Sequence, residues 1–373
     1  MPPKIKLLHL IKSLGRGGAE MLLPETLKLH NQELFEFHYI YFLPWKNQMV
    51  EFIQVAGGSV HCFDARNNVA IIAKLFSLRK YISKNKIDLV HCHLPWAGFV
   101  GRLLFKLTGI PVIYTEHNKQ ERYHTLTRLF NKVSFNWQAV VVAVSEDVRQ
   151  SIVKNVAPRI PVITILNGVN TESFKRNHRE GEKLRAQFGI PLNAIVVGTI
   201  AVFRFQKRLL EWVEVAAKVH LHNPEVYFMI VGDGPLKDEI VKKSVELKLN
   251  ERLIMPGLRK DVVPWLSAMD IYLMSSLFEG LPIALLEAMS MECAVVTTDA
   301  GGIKEVIRNK TDGLMIGVDQ WKELVPVTVE LATDEGGRRT LGKAARARVE
   351  ESFSLKRMVE ALEKLYVDVL KGI

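Results

Sequence analysis

Cysteine is scarce in this 373-residue sequence, and long apolar runs are absent from it. The three cysteines, Cys62, Cys92 and Cys293, lie far apart and form no C-x-x-C pair, so neither a disulfide framework nor a cysteine zinc site is indicated. No window reaches the roughly 18 consecutive apolar residues that a membrane-spanning helix needs. The opening apolar run is interrupted by His9 and Lys12 and lacks a small-residue cleavage site, so it predicts a buried strand instead of a secretion signal. We therefore expect a protein of the reducing cytoplasm.

Positive charge is concentrated in the first half of the chain. Residues 1–170 contain 21 Lys and Arg against 11 Asp and Glu, whereas residues 171–373 contain 29 of each class. A basic half beside a neutral half favours an anionic partner, such as nucleic acid, an acidic lipid surface or a phosphorylated acceptor. A basic surface that is merely solvated is the alternative explanation. No recognisable nucleic-acid-binding module accompanies the charge, so we expect no nucleic acid partner.

Short β-branched and apolar runs alternate with amphipathic segments, which predicts α/β architecture with mostly parallel sheets. The predicted strands are IKLLHLI, HYIYFL, DLVHCH, PVIYTEH and AVVVAVS in the first half, and AIVVGTI, VYFMIVG, LIMPG, DIYLMSS, AVVTTDA and GLMI in the second. Helical patterns fill the gaps, for example over residues 70–85 and 96–108.

The length and one interruption of this pattern predict two domains. A chain of this length is about twice the usual size of one domain. The alternation stops at the turn LNGVN and the polar stretch 175–187, and then begins again. We predict two Rossmann-like domains, residues 1–168 and 169–354, with the last helical pattern, in residues 355–373, able to pack back on the first.

Glycine-rich loops follow several predicted strands. SLGRGGAE places Gly15, Gly17 and Gly18 between the first strand and a helical run. Glycine there lets backbone amides approach phosphate oxygens, and the helix N-terminus adds partial positive charge. The spacing is not a dinucleotide fingerprint, because the third glycine of G-x-G-x-x-G would fall at Glu20. A tight turn without a ligand is the alternative, and VGDGP and TDAGG form similar loops in the second half.

Two glutamates, Glu279 and Glu287, lie eight residues apart in SSLFEGLPIALLEAMS. Glu279 follows a predicted strand, at the edge where open parallel sheets bind ligands, and the amides of Gly280 and Leu281 can point at an anion. Glu287 falls in an apolar helix, where a buried carboxylate must be hydrogen-bonded. An ionised carboxylate suits the paired hydroxyls of a ribose or a sugar ring. Taken alone, each acid also has an ordinary explanation, as a solvated loop residue or as a partner for a core donor.

The segment LFEGLPIALLEAMSMECAVVTTDAGG resembles the E-x7-E signature of family 4 glycosyltransferases, which have the two-domain GT-B fold. GRGGAE, TEHN, AVSEDV, LNGVN, VGDGP and PGLRKDV are similar to further motifs of that family and occur in the same order, so the resemblance covers nearly the whole chain. It implies two Rossmann-like domains facing across a cleft, the first on the acceptor side and the second binding a nucleotide sugar. It also implies transfer of a hexose-type sugar from a UDP- or GDP-sugar, with retention of configuration and with neither a cofactor nor a metal. The chain contains no D-x-D motif, in keeping with the last expectation.

The same resemblance implies a role for three catalytic residues. Glu279 would accept hydrogen bonds from the donor sugar, and His117 would contact the same sugar. Lys207 would neutralise the phosphate of the departing nucleoside diphosphate, which is electrostatic stabilisation of a leaving group. Glu287 would accept hydrogen bonds from the ribose. The implied donor-binding residues are Gly17, Gly18, Arg204, Arg208, Gly232, Arg259, Gly280, Leu281 and Glu287.

One position departs from the family pattern. The family usually has an arginine five residues before the lysine, and Val202 occupies that position here. Arg204 or Arg208 is the candidate replacement. His91 and His93 form an H-x-H pair near a strand end, for which packing and hydrogen bonding are favoured over metal ligation because no nearby acid or cysteine completes a site.

A basic amphipathic pattern runs from Lys119 to Trp137. Such a helix can lie in a membrane interface, or it can simply pack on the first domain. We hypothesise that the first domain docks on an anionic membrane through residues 119–137 and receives a lipid-linked or glycan acceptor. The expected protein is cytoplasmic, peripheral on the inner face of the plasma membrane, and acts in cell-envelope polysaccharide or lipopolysaccharide synthesis.

Two alternatives remain beside the transferase. A nucleotide-sugar 2-epimerase has a similar two-domain fold, and a non-catalytic protein that binds nucleotide sugars is consistent with Val202. The sequence does not determine the base, the sugar or the acceptor.

Overall fold

The protein is described by a computed structural model that covers residues 3–249 and 251–372. The chain folds into two compact units: unit 1 consists of residues 1–167 and 355–373, and unit 2 of residues 168–354. Each unit contains one parallel sheet flanked by helices. Among the described residues, no helix is both long and apolar enough to cross a membrane.

Unit 1 contains seven parallel strands within the described residues. The strands are β1 (Ile5–Ile11), β2 (Phe35–Tyr41), β3 (Ser59–Cys62), β4 (Leu89–His93), β5 (Val112–Glu116), β6 (Val140–Ala143) and β7 (Val162–Thr164). The helices between them are α1 (Gly18–Leu29), α2 (Val50–Val55), α3 (Asn68–Ala73), α4 (Leu75–Asn85), α5 (Pro95–Thr108), α6 (Thr125–Ser134) and α7 (Glu146–Val156). The strand order is β3-β2-β1-β4-β5-β6-β7. The order reverses between β1 and β4, and open α/β sheets bind ligands at such a reversal.

Unit 2 repeats the architecture with six parallel strands among the described residues. The strands are β8 (Val196–Val202), β9 (Tyr227–Asp233), β10 (Leu253–Gly257), β11 (Ile271–Met274), β12 (Ala294–Thr298) and β13 (Leu314–Ile316), in the order β10-β9-β8-β11-β12-β13. The helices are α8 (His178–Gln187), α9 (Leu209–His222), α10 (Lys237–Glu246), α11 (Val263–Ala268), α12 (Ile283–Ser290), α13 (Ile303–Val306), α14 (Leu324–Thr333) and α15 (Glu335–Ser352). Trp212 is fully buried in the core of this unit, and its indole donates to the carbonyl of Leu273 at 2.9 Å.

The last helix, α16 (Leu355–Lys371), belongs to unit 1. It packs against α1 and adds Leu362 and Tyr366 to the core of unit 1. Its Glu363 accepts a hydrogen bond from the backbone of Asn31 at 2.7 Å and pairs with His30 at 2.9 Å. Apolar burial and the hydrogen bonds of Glu363 therefore fix α16 on this unit.

The predicted fold class, two parallel α/β domains, is confirmed, and the local differences have physical reasons. Strands β3 and β7 were not predicted, because they are short and partly exposed and so lack the continuous apolar run of a buried strand. The pattern over 70–85 forms two helices, α3 and α4, that meet at Lys74. The pattern over 119–137 is also divided. It forms a short 3-10 turn, Gln120–Arg122, followed by α6, whose start is capped by His124.

Candidate active site

The side chains of Lys207 and Glu279 meet in unit 2. Lys207 ends a 3-10 turn, Phe205–Lys207, that follows β8, and Glu279 lies in the loop after β11. The Lys207 Nζ is 2.5 Å from Glu279 Oε1, and Ser276 Oγ donates to the same oxygen at 2.6 Å. The lysine and glutamate side chains are only 20% and 10% exposed. The sheet therefore presents a shielded cation and a shielded carboxylate together at its carboxyl edge.

Backbone contacts join the two loops that carry this pair. The amide of Leu277 donates to the carbonyl of Gln206 at 2.8 Å. The hydroxyl of Ser275 lies 3.1 Å from the carbonyl of Lys207 and 2.9 Å from that of Arg208. Because these bonds run between the loops themselves, the separation of Lys207 and Glu279 does not depend on their own attraction alone.

Helix α12 begins immediately beyond this pair. Pro282 is its N-cap residue, so Gly280 and Leu281 lie just before the helix, whose first amides have no intrahelical acceptor. Glu287 lies on the buried side of α12 and is 5% exposed. Burial raises the pKa of Tyr272, and the nearby carboxylates of Glu287 and Glu279 raise it further. Both glutamates of the E-x7-E segment are therefore close enough to one buried tyrosine of unit 2 to raise its pKa.

The two arginines near Val202 are placed differently from one another. Arg204 is exposed, and its side chain forms no hydrogen bond or ion pair with any residue that the structure describes. Arg208 has a left-handed backbone with φ 48° and donates from Nη1 to the carbonyl of Val318 at 2.8 Å. Val202 itself is the last residue of β8 and pairs with Asp233. Of the two candidates, Arg204 is the one whose guanidinium is not already engaged by the protein.

Gly232 and Arg259 lie at the ends of β9 and β10. Gly232 has φ 140°, and a Cβ atom there would lie 1.9 Å from the carbonyl oxygen of Ala201, so close strand packing alone requires glycine. Arg259 donates to a neighbouring carbonyl and lies over the ring of Trp265, 5.2 Å from its centroid. Its guanidinium is thus held beside an aromatic face at the sheet edge.

In unit 1, Gly17 and Gly18 form the start of α1. Gly17 is the N-cap residue with extended backbone, no side chain caps the helix, and the first helical bond is from Met21 N to the Gly17 carbonyl at 2.9 Å. The amides of residues 18–20 therefore have no partner within the helix. Such amides at a helix N-terminus favour an anion.

His117 follows β5 at the carboxyl edge of the unit 1 sheet. Burial lowers the pKa of His117 to about 4, so the imidazole is neutral near pH 7. Its Nε2 is shielded from solvent and has no hydrogen-bond partner among the described residues. The preceding residue, Glu116, is buried and accepts from Gln120 Nε2 at 2.6 Å and from the Tyr114 hydroxyl at 2.9 Å. This carboxylate fixes the loop that carries His117.

Three buried histidines, His9, His91 and His93, lie side by side on β1 and β4 and offer nitrogen atoms within 4.8 Å of one another. Burial lowers the pKa of all three, that of His91 to about 3, so each offers a neutral ring of the kind that binds metal ions. However, His91 bonds Tyr366 at 2.9 Å and Thr115 at 2.7 Å, and His9 bonds His93 at 2.9 Å. A metal ion would have to replace those bonds, and the described residues around the cluster supply no acid or cysteine ligand.

The structure brings only part of the predicted set into direct contact. Lys207 touches Glu279 in unit 2, and Gly17, Gly18 and His117 lie at the carboxyl edge of the unit 1 sheet. Sequence reasoning missed Ser275 and Ser276, which hold the lysine turn and the glutamate. Their signal was available, since paired hydroxyl residues directly follow the apolar strand IYLM.

Two family models match this chain. The model described as Glycosyltransferase Family 4 matches residues 17–173, and the model described as Glycosyl transferases group 1 matches residues 180–348. The second match lies within unit 2, whereas the first covers unit 1 from residue 17 and extends six residues past the junction at residue 167.

Named relatives and solved structures agree with these matches. The chain is 27% identical over 319 residues to the UDP-Gal:alpha-D-GlcNAc-diphosphoundecaprenol alpha-1,3-galactosyltransferase of Escherichia coli, covering 81% of this chain and 82% of the relative. It is 25% identical to the capsular polysaccharide biosynthesis glycosyltransferase CapM of Staphylococcus aureus, covering 89% and 93%. The fold matches that of Anabaena Alr3699/HepE in complex with UDP and glucose, with a TM-score of 0.85, 21% identity, and coverage of 98% of this chain and 100% of the other.

Proposed function

This chain belongs to family 4 of the glycosyltransferases, and we propose that it transfers a hexose from a UDP-sugar to a lipid-linked or glycan acceptor with retention of configuration. The observation that carries the proposal is the shielded Lys207–Glu279 pair at the start of the E-x7-E segment. A cation that meets a phosphate and a carboxylate that accepts from hydroxyls are the two groups that a sugar diphosphate requires. Uridine is proposed as the base because UDP or a UDP-sugar occurs in the names of the E. coli relative and of the Anabaena complexes.

The proposed division of roles is the one that the family resemblance implies. Glu279 accepts hydrogen bonds from the donor sugar, and Glu287, which is buried in α12, accepts hydrogen bonds from the ribose. Lys207 stabilises the negative charge that grows on the departing nucleoside diphosphate, a contribution of about 2.7–4 kcal/mol for one such group in other enzymes. Arg204 takes the role of the family arginine whose position Val202 occupies here, because the guanidinium of Arg204 is exposed and forms no hydrogen bond or ion pair with the described residues. No metal is assigned to this chemistry.

The remaining predicted residues complete the donor site in this proposal. His117 contacts the donor sugar as a neutral imidazole. The amide groups at the starts of α1 and α12 bind the diphosphate, and Arg259 flanks the base. The donor-binding set is Gly17, Gly18, Arg204, Arg208, Gly232, Arg259, Gly280, Leu281 and Glu287, in which Gly232 permits close packing and Arg208 orders the lysine turn.

The function is tested by thermal unfolding with UDP-, GDP- and ADP-sugars and NAD, each in large excess. A ligand at about 100 times its dissociation constant adds roughly 2.7 kcal/mol of stability. We expect stabilisation by one UDP-sugar that is lost in Glu287→Ala, followed by transfer of that sugar to a GlcNAc-diphospholipid, detected by mass spectrometry. Release of a free epimerised sugar would support the epimerase alternative, and binding without turnover the non-catalytic one. The named relatives support neither.

The second part of the proposal is that α6 docks on an anionic membrane surface. The helix is oriented with polar residues inward: Arg102, itself fully buried, donates to Asn131 at 2.9 Å and to Ser134 at 3.2 Å. The apolar residues of the opposite stripe are exposed, with Leu126, Leu129 and Val133 at 57%, 56% and 62%. Arg128 and Lys132 are exposed on the same helix. An exposed apolar stripe with adjacent cations is the arrangement that binds an anionic lipid interface.

Co-sedimentation with vesicles tests this docking. We expect the protein to sediment with phosphatidylglycerol vesicles at low salt and to remain in solution with phosphatidylcholine vesicles. Replacing the three exposed residues Leu126, Leu129 and Val133 by serine should abolish sedimentation. The matched control, Val241→Ser with Val245→Ser on the exposed face of α10, should leave it unchanged. If the α6 variant and the α10 control sedimented with the vesicles to the same extent, α6 would not be the docking helix.

A further inference from the structure

We propose that Lys12 and Lys46, together with Asn68, form a binding site in unit 1 for the diphosphate group of the acceptor. The inference rests on the proposed function, since it concerns the acceptor of the same reaction. It adds a site with a stated ligand class, a sugar carried on a diphosphate, to the donor site formed by the residues described above.

The backbone holds the two lysines together. Lys12 immediately follows β1, and its carbonyl accepts from the amides of Phe42 and Leu43 at 3.2 Å. The carbonyl of Lys46 accepts from the amide of Leu14 at 2.9 Å. The segments that leave β1 and β2 therefore remain hydrogen-bonded to one another beyond the strands, and both lysines are on this joined segment. Asn68, at the start of α3, accepts from Lys12 Nζ through Oδ1 at 2.9 Å.

Lys12 and Lys46 place positive charge at this edge of the unit 1 sheet. Lys12 is half-buried, and Lys46 is exposed. Neither forms an ion pair with any residue that the structure describes, and Glu20, the acid of the neighbouring glycine loop, accepts from Ser13 at 3.1 Å. Burial lowers the pKa of Lys12, and the charge of Lys46 lowers it further. A bound anion would relieve both the repulsion and the desolvation.

The position of the group fits a substrate site. The residues lie beyond the carboxyl ends of β1, β2 and β3, beside the point where the strand order reverses, which is where open parallel sheets bind ligands. Lysine ammonium groups are compact point charges suited to phosphate oxygens, and the side-chain NH₂ of Asn68 is a further donor. Two cations and an amide match a diphosphate better than a single carboxylate or a neutral sugar.

We assign this diphosphate to the acceptor because the proposed donor groups already include a cation for the donor phosphate. In unit 2, Lys207 provides this cation, and Glu279 and Glu287 provide acceptors for the donor hydroxyls. The donor groups proposed in unit 1 are only the backbone amides at the start of α1 and the neutral imidazole of His117, so the two lysine ammonium groups of unit 1 have no role toward the donor. The rival assignment, that these lysines bind the donor diphosphate, predicts that their loss weakens UDP binding, and the experiment below measures this directly.

The first measurement is calorimetric titration of UDP-saturated protein with inorganic pyrophosphate. We expect binding by the wild type and at least about tenfold weaker binding by Lys12→Gln/Lys46→Gln, since hydrogen bonds to charged groups contribute about 1.5–3 kcal/mol each. Lys80→Gln/Lys84→Gln, on the exposed face of α4, changes the net charge equally and should bind as the wild type does. Absence of binding by the wild type, or equal weakening in both variants, would overturn the site.

The second measurement compares two acceptors of identical sugar, one carried on a short-chain lipid diphosphate and one as a simple methyl glycoside. In Lys12→Gln/Lys46→Gln we expect KM for the diphosphate acceptor to rise about 10- to 100-fold. The KM for the methyl glycoside and the Kd for UDP should stay unchanged. A free sugar diphosphate without lipid should respond as the lipid-linked one does, which separates the phosphate contact from membrane attachment. An increase in the Kd for UDP would instead assign the lysines to the donor.

These outcomes are separable from failure of the proposed function. If the wild type binds pyrophosphate through Lys12 and Lys46 but transfers no sugar, the diphosphate site is supported and the proposed function is wrong. If the wild type transfers sugar and the variants show the same KM, the proposed function is supported and the diphosphate site is wrong.

Discussion

Replacing Lys207 by methionine should lower turnover by about 10²- to 10³-fold and leave UDP affinity within about tenfold of wild type. In the structure the ammonium group is at hydrogen-bond distance from a carboxylate oxygen, 2.5 Å, and only 20% of the side chain is exposed. At an effective dielectric constant of about 20, opposite charges about 4 Å apart attract by about 4 kcal/mol. The attraction increases as charge moves onto the leaving phosphate, and about 2.7–4 kcal/mol of selective stabilisation corresponds to the stated rate factor.

Steady-state kinetics with the UDP-sugar, combined with calorimetric UDP binding, checks this prediction. Lys243→Met is the matched control, since Lys243 also forms a lysine–glutamate pair, at 2.7 Å to Glu214, on the helices of the same unit. It should retain wild-type turnover. If Lys207→Met lost turnover and UDP affinity by the same factor, the lysine would be binding ground state and transition state equally, and the argument from the departing phosphate would be wrong.

Three further predictions concern the other groups. Glu287→Ala should weaken UDP binding by about 10- to 100-fold in calorimetry and change kcat by less than about threefold, because a lost acceptor of charged hydrogen bonds costs about 1.5–3 kcal/mol; unchanged binding would remove the ribose contact. The free energy of unfolding should fall as the pH is lowered from 6.5 towards 4, by up to about 1.4 kcal/mol per pH unit for each buried histidine. The reason is that His91 and His117 stay neutral in the folded protein and take up protons once unfolded, and a His91→Asn variant with the same pH slope would contradict this. Dialysis against EDTA should leave activity intact, and a loss restored only by divalent metal would place a metal in the site.

Much of the fold was predictable because its central strands are buried on both faces. The run IKLLHLI coincides with β1, and the runs DIYLMSS and AVVTTDA contain the fully buried strands β11 and β12, since continuous apolar burial leaves a clear trace in sequence. The edge strands of unit 1, β3 and β7, are only partly buried and leave no such trace. The division of the 119–137 pattern at His124 was equally hidden, because it depends on Glu116 holding Gln120 and Tyr123 in the preceding turn.

The candidate site was only partly predictable for a similar reason. Glu279 and Lys207 are 72 residues apart, and the contact between them arises from the adjacency of β8 and β11. Motif resemblance suggested each residue separately as a site candidate, whereas their direct pairing required the strand order. The orientation of α6 was also outside sequence reasoning, since an amphipathic pattern is the same whichever face is turned inward. The buried Arg102, which binds Asn131 and Ser134, decides it.

The place of α16 in unit 1 has a consequence for biosynthesis. The chain leaves unit 1 after residue 167 and returns at residue 355, so the whole of unit 2 is synthesised before the helix that completes unit 1. Until the ribosome has released α16, His91 has no Tyr366 to bond, and the core face that receives Leu362 is open. Unit 2 is continuous in sequence and can therefore fold first. A nascent chain that stalled near residue 354 would carry a finished unit 2 attached to an unfinished unit 1, whose exposed face would be a target for chaperones and proteases.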